Sequence, residues 1–352
     1  MTAQSPNYAP RVFVDTTDLS REEWLAYRRQ GIGGSDAASI MGISPFRTAR
    51  DIYYDKLGLV TTAEYEGNWV ALKMGHLLED LVAEIFTRKT GLPIFKLERM
   101  FQHPLYPFML ADVDFFITLP NGQTAILEIK TTNYNAKSHW WSNGQEIVPE
   151  YYEAQGRHYM AVMNVDEVYF CCLYGNNEDE VIIRHIERDC FYESELIFLE
   201  QCFWTDHVLA RIPPPYTEDA ELIEESLKRH VGLADPEKDA VQLSEKSKRC
   251  LEKYLELQAC KADRDQEAES LNKEMKRLRA LIIAEMGDNC TAYCEVNGSC
   301  YKVTYNPIQK ASIMKKDMLR MQTLYPEAYR QFVTTSEYRT FRVSGVPKEQ
   351  VA

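Results

Sequence analysis

The chain has 352 residues, 45% hydrophobic and 11% aromatic, which suffices for a sizeable core and argues against disorder. Its net charge of −13 weighs little against nucleic acid, because binding follows a local basic stripe and carboxylate metal sites themselves add negative charge. No apolar run approaches a membrane span, and Met1 to Arg11 has no apolar signal-peptide core, so the chain reads as cytoplasmic with no membrane partner.

Residues 1–19 read as a loose N-terminal arm. Ser20-Arg21-Glu22-Glu23 has the form of a capping box and predicts a helix to about Arg29. Gly31-Ile32-Gly33-Gly34-Ser35-Asp36 interrupts it, and Ser35 or Asp36 can cap a short second helix. A helix near Thr48–Leu57 stops at Gly58. From Asn68 to Lys89, Leu72, Leu78, Leu81, Val82, Ile85 and Phe86 recur at helical spacing until Gly91 and Pro93. Ile94–Phe101 reads as a strand. Phe108–Leu119 and Thr124–Thr131 read as strands around Pro120-Asn121-Gly122. Glu150–Val162 is helical, Val168–Leu173 and Val181–Ile186 are β-rich, and Phe191–Leu209 is an amphipathic helix. Residues 20–212 therefore predict a mixed, layered α/β domain.

Ile212-Pro213-Pro214-Pro215 opens a linker and helix over 213–240. Residues 241–352 predict a helical or coiled-coil region with a small α+β extension, suited to assembly or a partner contact. Its seam runs through Tyr254, Leu257, Lys261, Arg264, Ala268, Leu271, Met275, Leu278 and Ile282. A hairpin over Ala292–Tyr305, a helix near Ile313–Phe332 and a strand near Phe341–Val343 follow.

The chemistry concentrates in Asp112-Val113-Asp114 and Glu128-Ile129-Lys130. Strand alternation puts Glu128 and Lys130 on one face and turns Ile129 to the core. Carboxylates converging from adjacent strands make an all-oxygen site suited to Mg²⁺ or Mn²⁺, and a neighbouring Lys can orient or deprotonate water. The spacing alone means little: Glu274-Met275-Lys276 repeats it on the heptad helix, where the two side chains diverge. The Glu128 copy differs because its strand is apolar and buried charge is costly. A half-exposed cross-strand ion pair is the plainer alternative. Glu79 lies near the inward stripe of the long helix. Arg28 precedes the glycine turn, where Ser35 and backbone N–H groups can hold a phosphate.

In order, Trp24-x3-Arg28-x2-Gly31-Ile32-Gly33-Gly34-Ser35-Asp36, Gly75-x3-Glu79, Asp114, Glu128-Ile129-Lys130-Thr131 and Pro149-x2-Tyr152-x2-Gln155-x2-His158 resemble the YqaJ-like viral recombinase family. These are lambda-exonuclease-type nucleases of the PD-(D/E)XK superfamily, and the resemblance spans roughly residues 20–205. It implies a restriction-endonuclease-like core, a mixed sheet flanked by helices. It implies Mg²⁺, replaceable by Mn²⁺, on Glu79, Asp114, Glu128 and the Ile129 carbonyl. Lys130 would activate water, and Gln155 would position the scissile phosphate or Lys130. Arg28 and Ser35 would bind a 5′-terminal phosphate. The implied activity is 5′→3′ resection of double-stranded DNA in phage-type recombination, in a bacterial host. The implied partners are a single-strand annealing protein and further copies of the chain, as a trimer.

The family usually has Gly after its Asp, whereas Phe115 follows Asp114 here. Asp112 is an alternative or second ligand, with Asp114 favoured. Lys137 and Arg157 are candidate phosphate contacts, and Tyr152 and His158 further site candidates, although a structural role for His158 is the simpler reading. Trp140 and Trp141 suit base stacking or loop packing equally. Lys273, Lys276, Arg277 and Arg279 read as a solvated helix face. The nine Cys include no CxxC pair and read as reduced thiols packed as small hydrophobes. With none before Cys171, no iron–sulfur cluster is expected. Two other functions stay open: an endonuclease of the same superfamily, and an inactive DNA-binding scaffold.

Overall fold

Helix starts follow local chemistry. Ser20 accepts the Glu23 N–H at 3.3 Å while the Glu23 carboxylate accepts the Ser20 N–H at 2.9 Å. Thr48 and Asp51 form the same reciprocal pair two helices later. The computed structural model describes residues 8–59, 69–230, 240, 242–297, 299–307 and 315–333. It divides into two units, residues 1–233 and 234–352.

The first unit opens with β1 (Arg11–Asp15), α1 (Arg21–Arg28), β2 (Ile32–Gly33), α2 (Gly34–Ile40), α3 (Ala49–Lys56) and α4 (Trp69–Thr90). Strands β3 (Ile94–Phe95), β4 (Arg99–Gln102), β5 (Met109–Asp112), β6 (Phe115–Thr118) and β7 (Thr124–Thr131) follow. A small hairpin, β8 (Trp141–Ser142) and β9 (Gln145–Glu146), leads into α5 (Glu150–Met163), β10 (Glu167–Leu173), β11 (Val181–Glu187) and α6 (Cys190–Cys202). A π-helical stretch, Phe203–Leu209, extends α6, and α7 (Ala220–His230) closes the unit.

Its two main sheets have the orders β11-β10-β7-β6-β3 and β1-β4-β5-β2. The first is mixed: β7 and β10 are parallel, joined by the α5 crossover, and the other pairings are antiparallel. Helices cover both faces of β7. Ala125, Leu127 and Ile129 pack with Val82, Ile85 and Phe86 of α4. Ile126 packs with Met160, Ala161 and Phe170 on the α5 side. Glu128 and Lys130 are in phase with Ile126, so alternation delivers both toward α5.

The expected α/β class holds, and three local readings are corrected. Residues 94–101 are two strands, β3 and β4, in different sheets. Residues 108–119 likewise split into β5 and β6, and the chain changes sheets across Val113-Asp114. Periodicity could not show these breaks, because Met109 to Ala111 and Phe115 to Ile117 are continuously buried. The arm is not wholly loose, since β1 pairs along β4. Beyond the prolines, Ser226 and His230 of α7 both donate to Asp51 Oδ1 of α3, at 2.8 and 2.6 Å. That fastening keeps α7 within the first unit.

The second unit contains α8 (Glu245–Met286), β12 (Thr291–Val296), β13 (Ser299–Thr304), α9 (Lys315–Leu324) and α10 (Pro326–Phe332). α8 is one continuous helix of 42 residues. Lys261 and Arg264 break its apolar seam but not the helix, because both have good helix propensity. The predicted helix at 313–332 divides at Tyr325, with Pro326 starting α10. Gly298, residues 313–314 and the strand expected at 341–343 lie outside the described residues. Cys171 and Cys172 are packed as small hydrophobes, and burial pushes both thiols up to about 12. Cys250, Cys260, Cys290 and Cys294 are exposed, contrary to that reading. No helix among the described residues is long and apolar enough to cross a membrane.

A Cβ on Gly156 of α5 would stand 2.6 Å from Phe170 Cζ and 2.9 Å from Val168 Cγ1, both in buried residues of β10. Gly156→Ala gains about 1 kcal/mol in helix propensity but overpacks the core by about 1–3 kcal/mol. A lowered Tm in thermal melting is expected; an unchanged or raised Tm would contradict the close helix–sheet contact.

Candidate active site

Glu128, Lys130 and Gln155 form a closed triangle between β7 and α5. The Lys130 ammonium donates to Glu128 Oε1 at 2.6 Å and to Gln155 Oε1 at 3.1 Å. Gln155 Nε2 donates to the same Glu128 oxygen at 2.5 Å and to the Tyr159 hydroxyl at 3.3 Å. The amide can face only one way, since its carbonyl must meet the ammonium and its NH₂ the carboxylate. Helical spacing adds Tyr152, whose ring centre lies 4.9 Å from Lys130 Nζ.

Asp114 stands where the chain passes between sheets, and its Oδ2 accepts the Ile129 N–H at 2.8 Å. The Ile129 side chain packs on α4, as alternation predicts. Burial pushes the Asp114 carboxyl well above the usual carboxylate range, and the Glu128 charge adds to the effect. Burial also raises Glu128, against the pull of Lys130. For Lys130, the charges of Glu128 and Asp114 outweigh burial and raise its affinity for its proton. Glu79 of α4 adds a further negative charge to the field at both carboxylates. Asp112 is engaged differently: its Oδ2 accepts the Trp24 indole N–H at 2.6 Å, and burial raises its carboxyl.

These residues fit a divalent cation. Glu128 Oε2 is buried without a hydrogen-bond partner among the described residues, a costly state for a carboxylate oxygen. The donor set is all oxygen, the chemistry of Mg²⁺ and Mn²⁺ sites. Among the described residues, no three His, Cys, Asp or Glu side chains already close around one point. Lysines hold two of the carboxylates instead: Lys130 on Glu128, and Lys96 on Glu79 at 2.7 Å.

The glycine turn lies against the same helix. Arg28 donates to Ser35 Oγ and Asp36 Oδ1, each at 2.7 Å. Asp36 Oδ2 accepts the Gly33 N–H at 3.0 Å and pairs with Lys56 at 2.7 Å. Burial lowers Lys56 to about 8, and burial opposes but does not prevent Arg28 and Lys56 holding Asp36 well below the carboxylate range. A Cβ on Gly34 would meet a Tyr159 ring carbon at 2.6 Å, so only glycine lets α2 approach this closely. Tyr159 thus borders both the Arg28 cluster and the acidic triangle.

Residues 23–166 match the YqaJ-like viral recombinase domain family. The uncharacterized protein YqaJ of Bacillus subtilis (strain 168) is 31% identical over 338 residues, covering 95% of this chain and 98% of that protein. The chain belongs to the YqaJ-like viral recombinase family. Solved structures are less similar. The alkaline exonuclease LHK-Exo of Laribacter hongkongensis has 21% identity and a TM-score of 0.44, covering 59% of this chain and 98% of that one. A phage related exonuclease of Haemophilus somnus 129PT has 15% identity and a TM-score of 0.38, covering 51% and 96%.

Other expected site residues of this YqaJ-like chain lie apart from the triangle. Arg157 is not free for phosphate as expected: it binds Glu153 and the Glu187 carbonyl and stacks over Tyr192. His158 is wholly buried, bonded to Glu200 at 2.7 Å and the Leu110 carbonyl at 2.9 Å, a structural role. Lys137 sits over the Tyr134 and Tyr174 rings. Trp140 is core, against Tyr152 and Phe170, whereas Trp141 is partly exposed beneath Arg184. Sequence reasoning missed Trp24 as a partner of Asp112, the Asp36–Lys56 pair, Tyr159 and Lys96. Only Tyr159 had a local signal, four residues after Gln155.

Asp114→Asn keeps an acceptor for the Ile129 N–H and removes one half-buried charge. In chelator at pH 8 it should melt at a higher temperature than wild type. Because the folded Asp114 carboxyl is raised, its ionisation costs stability as pH rises through that window. The advantage of Asn should therefore shrink as pH falls and wild-type Asp114 takes up its proton. A variant less stable than wild type at pH 8 would contradict the electrostatics.

Proposed function

We propose that this chain is a Mg²⁺-dependent deoxyribonuclease, a 5′→3′ exonuclease that resects double-stranded DNA in phage-type homologous recombination. The carrying observation is the buried Glu128 oxygen near Asp114 that has no hydrogen-bond partner among the described residues, with the same carboxylate bound to Lys130. A merely structural ion pair would satisfy both oxygens or exclude the second acid.

Glu79, Asp114, Glu128 and the Ile129 carbonyl would hold the metal. When bound, it supplies Lewis-acid stabilisation of phosphate charge and a more acidic water. The protein's own groups do the rest. Lys130 has three donors, of which Glu128 and Gln155 hold two. The third can orient a water or a phosphate oxygen. Held charged, Lys130 acts as donor and positioner rather than as base. Gln155 fixes its angle, and the Tyr152 ring faces the ammonium. Arg28 and Ser35 receive the 5′-terminal phosphate, with Asp36 fixing the guanidinium from behind.

Resection leaves a 3′ strand, the substrate of a single-strand annealing protein. Self-association into a trimer would enclose the duplex, with the second unit free for assembly or partner contact.

With Mg²⁺, wild type should shorten a 5′-phosphorylated linear duplex faster than a 5′-hydroxyl one and leave a closed circle intact. Lys130→Ala should slow this on the order of 100-fold or more. Gel analysis of the three substrates decides. Cutting of the circle would overturn the exonuclease in favour of an endonuclease. DNA binding without cleavage in Mg²⁺ or Mn²⁺ would overturn the enzyme in favour of a scaffold.

A further inference from the structure

Lys96 lies outside every motif of the sequence, in the link between β3 and β4. Its ammonium donates to Glu79 Oε1 at 2.7 Å. It also lies 5.1 Å from the centre of the Phe115 ring, the residue that follows Asp114. Its influence is not confined to Glu79. The charges of Glu79, Asp80 and Asp114 together outweigh its burial and raise its affinity for its proton. Lys96 in turn favours the charged form of Asp112. One ammonium therefore compensates the side of the acidic cluster that Lys130 does not hold.

The two lysines are held in different ways. Lys130 is fixed by Glu128 and Gln155 under the Tyr152 ring, with a side chain 15% exposed. Lys96 has Glu79 as its hydrogen-bonded carboxylate, and its side chain is 40% exposed. A hydrated ammonium on a flexible four-carbon stem can leave such a contact for water without dismantling a network.

We propose that Lys96 is a built-in counter-cation of the acidic site, holding Glu79 in the metal-free protein and yielding that carboxylate when a divalent cation binds. This rests on the reading of Glu79 as a metal ligand. The sign follows from Coulomb's law. A fixed positive charge in contact with a ligand carboxylate competes for its oxygen and repels an incoming cation. Lys96 thus lowers the affinity of the site for metal, while keeping the crowded carboxylates compatible with the fold in its absence.

The test is isothermal titration of Mn²⁺ into the metal-free full-length protein at one pH, without DNA, so that no turnover contributes. Wild type, Lys96→Gln, Lys96→Arg and Glu128→Gln are compared, each with a melting curve in chelator. Lys96→Gln should bind Mn²⁺ about tenfold more tightly than wild type, roughly 1.4 kcal/mol. Lys96→Arg, which keeps the charge, should stay near wild type. The partly exposed position tolerates both changes. Equal or weaker binding by Lys96→Gln, with wild-type binding weakened in Glu128→Gln, overturns the role of Lys96 alone. Failure of wild type itself to bind Mn²⁺ overturns both this role and the metallonuclease reading.

Discussion

The half-buried Asp114 and the buried Glu128 repel each other, and that repulsion is the constraint that the surrounding elements of the first unit answer. Every neighbouring element answers it. β7 alternates so that Ile126, Glu128 and Lys130 share the α5 face. α5 answers with Gln155, which bonds both charged groups, and with the Tyr152 ring. The chain changes sheets at Val113-Asp114, which leaves Asp114 free of strand pairing and in reach of the Ile129 N–H. A strand of Val and Leu in these places would fold more stably. On the proposed function, these charges serve the chemistry of the site rather than the stability of the fold.

The glycine turn belongs to the same body. Gly34 admits the Tyr159 ring, and Tyr159 reaches Gln155. His158, the next side chain toward the helix start, ties α5 to α6 through Glu200 and to β5 through the Leu110 carbonyl. The buried Arg28–Asp36–Lys56 group is consequently held by the same helix that carries Gln155. On the proposed function, an end-binding pocket and a hydrolytic centre would need a fixed separation, and a shared helix is a rigid way to provide it.

What was legible in the sequence was local in origin. Strand alternation placed Glu128 with Lys130 and turned Ile129 away. Helix spacing from Pro149 brought Tyr152 and Gln155 to one face, and the Ser20 capping box formed as read. What was hidden depends on long-range packing. The sheet change at Asp114 lies in an apolar run with no period to break. β1 forms because β4 leaves an edge for it. Lys96, Trp24 and Lys56 acquire meaning only from partners distant in the chain. Arg157 shows the converse: a basic residue inside a motif looked like a phosphate contact, but the fold commits it to Glu153 and Glu187.

Anomalous diffraction from crystals soaked in Mn²⁺ tests the acidic centre most directly. A manganese peak bounded by Asp114 and Glu128, with Glu79 turned from Lys96 toward the ion, is the predicted result. An acidic cluster without a peak at saturating Mn²⁺, or manganese bound only elsewhere on the chain, would contradict it.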